Sequence, residues 1–426
     1  VNAIHEEVKA LTANTEGLED EQRLQRFYTL SYDLAMLESP GFATYKGDPR
    51  GQDRLGDFSA EGIERRRQAD RDALAFLDSI DRNALSESQR DNYDLLRDNL
   101  ERKIKAQRFP VHYMQMTQMS GPQQNLASLL AMMPNAKPEQ LENQIARMEA
   151  FPRYVDESIA LLTAGMEKGV TPPVITLRDV PQQIQNQLVD DASESPLLKG
   201  FVEVPATVDP LQAESLRKRA EQVYSQQVVP AYEKLLEFTE NTYLPGARKT
   251  IAARDLPDGE AWYQNNVALM TTTDLTPQQI HDIGLAEVSR IRGEMDTIIE
   301  STGFEGSFEE FLHFLRTDPQ FYHTSAEDLM REYRDISKRA DPELTKLFGI
   351  LPRTPYGVIE VPDYAAKSTT TAYYQPGSLK AGRPGYYFAN TYALDTRPRW
   401  EMEALSLHEA VPGHHLQIAI QQELEG

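Results

Sequence analysis

Near its C-terminal end the chain reads His408-Glu409-Ala410-Val411-Pro412-Gly413-His414-His415, with a proline and a glycine inside a run of histidines. The residues just before it, Met402, Leu405 and Leu407 alternating with Glu401 and Glu403, read as a helix over 400–410. That helix cannot continue unbroken, because Pro412 lacks a backbone donor and its ring clashes with the carbonyl of His408. Gly413 adds backbone freedom at the same place. On an ideal helix a four-residue step turns about 40° past a full revolution, so two side chains can share one ligand. The step from His408 to His414 is two residues longer and turns about 240°, to the wrong side. The sequence therefore predicts a bulge at Pro412-Gly413 that absorbs the extra residues and returns His414 to the face of His408.

The residue types point to zinc. His408 and His414 are the candidate metal ligands, and His415 is either the second ligand instead or an outer-shell donor. Glu409, beside the first ligand, is the candidate general base: it would take a proton from metal-activated water and pass it to the leaving amine. The competing reading is a helix end with exposed imidazoles and a solvated carboxylate. The chain has no cysteine, which excludes thiolate ligands, disulfides and a cysteine nucleophile, so any metal must rest on histidine and carboxylate. The other histidines (His5, His112, His281, His313 and His323) are scattered and read as surface or core residues.

Most of the chain reads as helix. Residues 20–38 place Leu24, Phe27, Tyr28, Leu34 and Met36 near one face. Ser86 with Gln89, Thr276 with Gln279, and Ser307 with Glu310 have capping-box spacing. Pro152 and Pro230 should divide or interrupt the helices that contain them. Residues 170–208, with five prolines, read as a crossing connection with short helical pieces. Val358–Val361 and Tyr386–Tyr392 are the strand candidates. The expected fold is mainly α: a large multi-helix, oligopeptidase-like body with a small sheet, at about residues 355–395, just before the histidine helix. The expected division is a helical region over 1–250 and a second region over 251–426 that carries the sheet and the start of the metal helix. A net charge of −22 argues against nucleic acid and anionic membrane surfaces as partners. No stretch reaches the run of ~18 apolar residues that a membrane span needs. The chain opens at Val1, which suits removal of a signal peptide and leaves room for a lipid anchor upstream. Arg65-Arg66-Arg67 reads as a solvated helix face, and the methionines at 114–119 as core.

Gly385-Tyr386-Tyr387-Phe388-Ala389-Asn390-Thr391 reads as a strand before the metal helix, and such a strand can hold an extended peptide by strand addition. Tyr387, Ala389 and Asn390 are thus candidate substrate contacts, and Arg383 a candidate for a substrate carboxylate. The alternatives are a plain core strand and a structural ion pair.

Together, Arg383 to Thr391 and Glu403 to Gln417 resemble the signature of a bacterial family, domain of unknown function 885, many of whose members are described as lipoproteins. The stretch from Asp318-Pro319-Gln320-Phe321-Tyr322 through Leu344, Phe348, Pro352 and Val358 is similar to its central region. The resemblance implies a gluzincin-type zinc metallopeptidase, in which the helix reads His-Glu-x-Gly-His and Gly413-His414 match the closing pair. It also implies a third ligand, a Glu in a Glu-Gly-Trp motif, and residues 1–426 contain no such motif. The expectation is a zinc-dependent hydrolase of peptides, periplasmic or at the cell envelope, whose residues 1–426 bind metal weakly and are inactive by themselves. The other function class is a non-catalytic lipoprotein that binds a peptide or a cell-wall fragment with a degenerate peptidase fold.

Overall fold

The computed structural model describes residues 1–361, 366, 370–377 and 384–424. The chain is mainly α, and it divides into two compact units, Val1–His281 and Asp282–Gly426. Among the described residues no helix is long and apolar enough to cross a membrane.

The first unit is helical, and two apolar cores carry most of its packing. One gathers Leu24, Phe27, Phe76 and Leu77, with Phe27 and Phe76 stacked at 4.2 Å. The larger one gathers Leu126, Ile145, Phe151, Tyr224 and Tyr232. The helix Asp20–Glu38 buries Leu24, Phe27, Leu30 and Met36, the spacing of an amphipathic face. Proline divides the next pair as the sequence predicts: Pro138–Glu149 ends before Phe151–Glu167, with Pro152 in the second helix's first turn. Pro230 acts differently. The helix Pro210–Val223 passes through a π-turn, Tyr224–Val228, and continues as Val229–Phe238. Widening one turn accommodates the ring without ending the rod. The capping box expected at Ser86 does not form: the Ser86 hydroxyl donates to Glu21 Oε1 at 2.9 Å instead. The other two do form. The Thr276 and Ser307 amides donate to Gln279 and Glu310, and the Gln279 and Glu310 amides donate back to the Thr276 and Ser307 hydroxyls.

In the second unit a support helix, Ala326–Ala340, turns Leu329, Met330, Tyr333 and Ile336 inward. They pack beneath a three-stranded sheet of β1 (Tyr356–Glu360), β2 (Ala372–Gln375) and β3 (Gly385–Ala389), ordered β1-β3-β2. β3 runs parallel to β1 and antiparallel to β2. The expected strands are found, displaced by a few residues, while β2 carried no recognised signal. β3 stops at Ala389 rather than at Tyr392 because Asn390 turns the chain. Its Nδ2 donates to the carbonyls of Ala366 and Thr370, and its Oδ1 accepts from the Tyr392 amide. An asparagine that satisfies its backbone neighbours in this way competes directly with the ladder.

Candidate metal centre

Two helices carry the histidines. The first, Arg399–Glu409, buries Met402, Ser406 and Glu409, spaced four and three residues apart on one face. Met402 packs into the core under the sheet with Tyr333 and Tyr387. His408 stands next to that face and is exposed. The second helix, His414–Glu423, begins with His414 itself.

Between them the chain breaks instead of bulging. Ala410 (φ −96°, ψ −106°) and Gly413 (φ −72°, ψ −133°) leave helical geometry, and the Val411–Pro412 peptide is cis. The hydrogen bonds show how two extra residues are absorbed. In an α-helix with histidines four apart, the residue before the second histidine donates to the carbonyl of the residue before the first. Here Gly413 N–H donates to Leu407 C=O at 2.9 Å, the same relationship stretched from four residues to six. The His415 amide then donates to the Ala410 carbonyl at 3.0 Å and starts the second helix. Only glycine fits at 413, since a Cβ there would lie 1.8 Å from the His408 carbonyl oxygen and 2.5 Å from that of Leu407.

The turn brings the two imidazoles together. The rings of His408 and His414 lie 4.7 Å apart, nearly perpendicular at 83°. One donor atom from each of His408, Glu409 and His414 lies within 4.8 Å of the other two, and among the described residues this is the one such group. Glu409 is buried, and its Oε2 has no hydrogen-bond partner among the described residues. The hydroxyls of Tyr387 and Ser406 are likewise buried, and they interact with each other. Burial pushes the Tyr387 phenol far above its ordinary range, and the neighbouring Tyr333 and the Glu409 carboxylate act the same way. Orphaned buried polar atoms are rare in folded proteins, and a carboxylate oxygen beside two imidazoles is a donor set that suits a divalent cation.

His415 does not join this group. It is buried, its ring lies 4.5 Å from that of Tyr356, and its Nδ1 shares a 2.8 Å hydrogen bond with the Tyr374 hydroxyl. Burial holds its pKa below the usual value, against an opposing backbone hydrogen bond with Thr354. Tyr374 reaches His415 by lying across Gly385, where a Cβ would stand 2.1 Å from the phenol oxygen. Eight residues further on, Glu423 accepts from the Arg353 and Thr354 amides at 2.8 and 3.0 Å. The second histidine helix is thus tied at its start to β2 and at its end to the segment just before β1. Neither Tyr374 nor Glu423 was foreseen. The Tyr373-Tyr374 pair has ordinary strand composition, and its partner lies 41 residues away.

The substrate candidates on β3 need correction. β3 is the central strand, so its backbone is paired with β1 and β2 and offers no edge to a peptide. Tyr387 and Ala389 are fully buried, Tyr387 edge-on to Tyr333 at 5.5 Å. The Asn390 side chain is spent on the turn described above, and the Arg397 guanidinium donates to its carbonyl. Arg383 lies outside the described residues.

A family model described as "Bacterial protein of unknown function (DUF885)" matches residues 40–426. No curated protein matches the chain. Among solved structures, one described as a "putative lipoprotein" from Colwellia psychrerythraea has a TM-score of 0.81 at 21% identity, covering 95% of this chain and 73% of that one. Another, described as a "putative lipoprotein of unknown function" from Shewanella oneidensis, has a TM-score of 0.68 at 19% identity, covering 92% of this chain and 71% of that one. At these identities the likeness shows a shared fold and nothing more.

Proposed function

The chain belongs to the DUF885 family, whose matched region includes the histidine turn, and from that turn we propose a zinc-dependent peptide hydrolase of the gluzincin type. The observation that carries the reading is the convergence of His408, Glu409 and His414 to within 4.8 Å, with a buried oxygen on Glu409 that has no partner among the described residues. His408 and His414 would hold the ion. When bound, zinc supplies Lewis acidity, which lowers the pKa of water toward ~7 and polarises a peptide carbonyl.

The chain's own residues do the rest. Glu409 takes the proton from the attacking water and returns it to the leaving amine. Gly413 and the turn hold the two imidazoles at one locus. His415, gripped by Tyr356 and Tyr374, fixes the helix that presents His414. An extended substrate would lie along an outer strand of the sheet, β1 or β2, and not on β3. With Glu409 kept as base, the described residues give zinc two protein ligands, one fewer than the usual three of a catalytic site, so weak binding is expected of them. The lipoprotein descriptions of the structural neighbours support a place at the cell envelope.

Hydrolysis of a quenched fluorogenic peptide library by the natural protein tests the reading. Activity should vanish with a chelator, return with zinc, and fall by about a thousandfold or more in Glu409→Gln. Turnover that survives Glu409→Gln removes that residue from its role. Peptide binding without any turnover would make the protein a binding lipoprotein instead.

A further inference from the structure

The arginine run at 65–67 is not the solvated face its composition suggests, and its surroundings form a cavity that the metal chemistry does not use. Arg65 clasps the Glu38 carboxylate with Nε and Nη2 at 2.7 and 3.0 Å and also reaches Asp57 at 3.0 Å. Arg66 Nη1 donates to the Asp57 carbonyl at 2.8 Å and stands 3.5 Å from Glu38. Of this cluster Glu38, Asp57 and Arg66 line a half-open cavity of about 460 Å³ within the first unit. Leu55, Phe58, Leu126, Leu129 and Met132 give the lining its apolar body, and Ser39, Asn125, Ser128 and Tyr154 add polar groups. The size and the mix of an apolar body with a few polar groups are those of a small-molecule site.

The hydrogen-bonding groups in the wall decide what would fit. Both carboxylates are engaged, Glu38 by Arg65 and Asp57 by Arg65 and the Ser59 amide and hydroxyl. The Asn125 amide nitrogen is spent on the Tyr154 hydroxyl at 2.7 Å. Among the described residues the lining side-chain groups without a protein partner are Nε and Nη2 of Arg66, the hydroxyls of Ser39 and Ser128, and one acceptor, Oδ1 of Asn125. The unspent capacity is therefore chiefly for donating, and it includes two guanidinium nitrogens of Arg66, whose charge also faces Glu38 at 3.5 Å. We propose that this cavity is a binding site, separate from the metal centre, for a small apolar carboxylate. The apolar body would lie on Leu126, Leu129 and Phe58, and the carboxylate would accept from Arg66 and a serine hydroxyl.

Anilinonaphthalene sulfonate, whose aromatic body and anionic head mimic that class, serves as the fluorescent probe on the 426-residue chain. Naphthoate and the uncharged naphthylmethanol then compete for it. Saturable binding at one site per chain is expected, with naphthoate displacing the probe at a concentration about tenfold lower than the alcohol. Leu129→Trp, at a half-buried position, should fill the cavity and abolish that site, and Arg66→Gln should erase the advantage of the acid. Met132→Trp at the exposed rim gives a second filling variant should Leu129→Trp disturb the fold. Equal competition by acid and alcohol, or probe binding unchanged in a folded filling variant, overturns the proposal.

Discussion

The turn between the histidines makes its sharpest commitment at Gly413. In Gly413→Ala the new Cβ would stand 1.8 Å from the His408 carbonyl oxygen, 2.4 Å from its carbonyl carbon and 2.5 Å from the Leu407 oxygen. All three are backbone atoms of a packed helix end, so none can yield by changing rotamer. The turn must open, at about 1–3 kcal/mol for the forced shift. Opening it also breaks the 2.9 Å bond from Gly413 N–H to Leu407, for about 0.5–1.5 kcal/mol more. A loss of about 1.5–4.5 kcal/mol is expected from the two together. The chain has two tryptophans, Trp262 and Trp400. In a Trp262→Phe background, urea unfolding followed by fluorescence therefore reports through Trp400, in the first histidine helix. Gly284→Ala is the control: it lies in the helix Pro277–Ser301, and its Cβ meets nothing within 4 Å. It should raise stability by up to about 1 kcal/mol. A Gly413→Ala protein within about 0.5 kcal/mol of wild type would refute the account of the turn, because no relaxed backbone could then need glycine there.

Three further outcomes follow from named contacts. Tyr374→Phe removes the 2.8 Å partner of buried His415 and should cost about 1–3 kcal/mol in urea. Zinc titration of the same variant should show weaker binding than wild type, whereas equal affinity in the two would mean that His414 is held without this brace. Asn390→Ala strands two carbonyls and an amide at the end of β3, and should lower stability by about 2–4 kcal/mol. A stable Asn390→Ala protein with an altered KM alone would return that residue to substrate binding. For Glu38, burial works to raise the carboxyl pKa, but Arg65 and Arg66 outweigh it and hold the group below its usual value. A depressed carboxylate contributes stability above its unfolded pKa of about 4.3 and loses it as pH falls through the folded value. Thermal melts should thus place Glu38→Gln well below wild type at neutral pH and close the gap under acid conditions; a gap constant down to pH ~3 would show that charge is not what Glu38 contributes.

What could be read from the sequence was set by the range of the forces involved. Helix starts at Thr276 and Ser307 were legible because both partners of each cap lie three residues apart. The same spacing failed at Ser86, where Glu21, far away in sequence, captures the hydroxyl. The meeting of His408 and His414 could be anticipated because Pro412 and Gly413 act on their own backbone. The form of the turn could not be, since a break and a bulge satisfy the same spacing and only the bond from Gly413 to Leu407 distinguishes them. β3 was legible as a strand but not as a central one: centrality depends on β2, whose four residues carry too little alternation to announce themselves. That one missing neighbour reverses the reading of Tyr387, Ala389 and Asn390, because residues that would face a ligand on an edge strand become buried supports once both edges are paired. The role of His415 was undecidable for the same reason, as it depends on a tyrosine 41 residues upstream and on a glycine over which that tyrosine can lie. Local chemistry therefore identified which groups could react, and long-range packing decided which of them are free to do so.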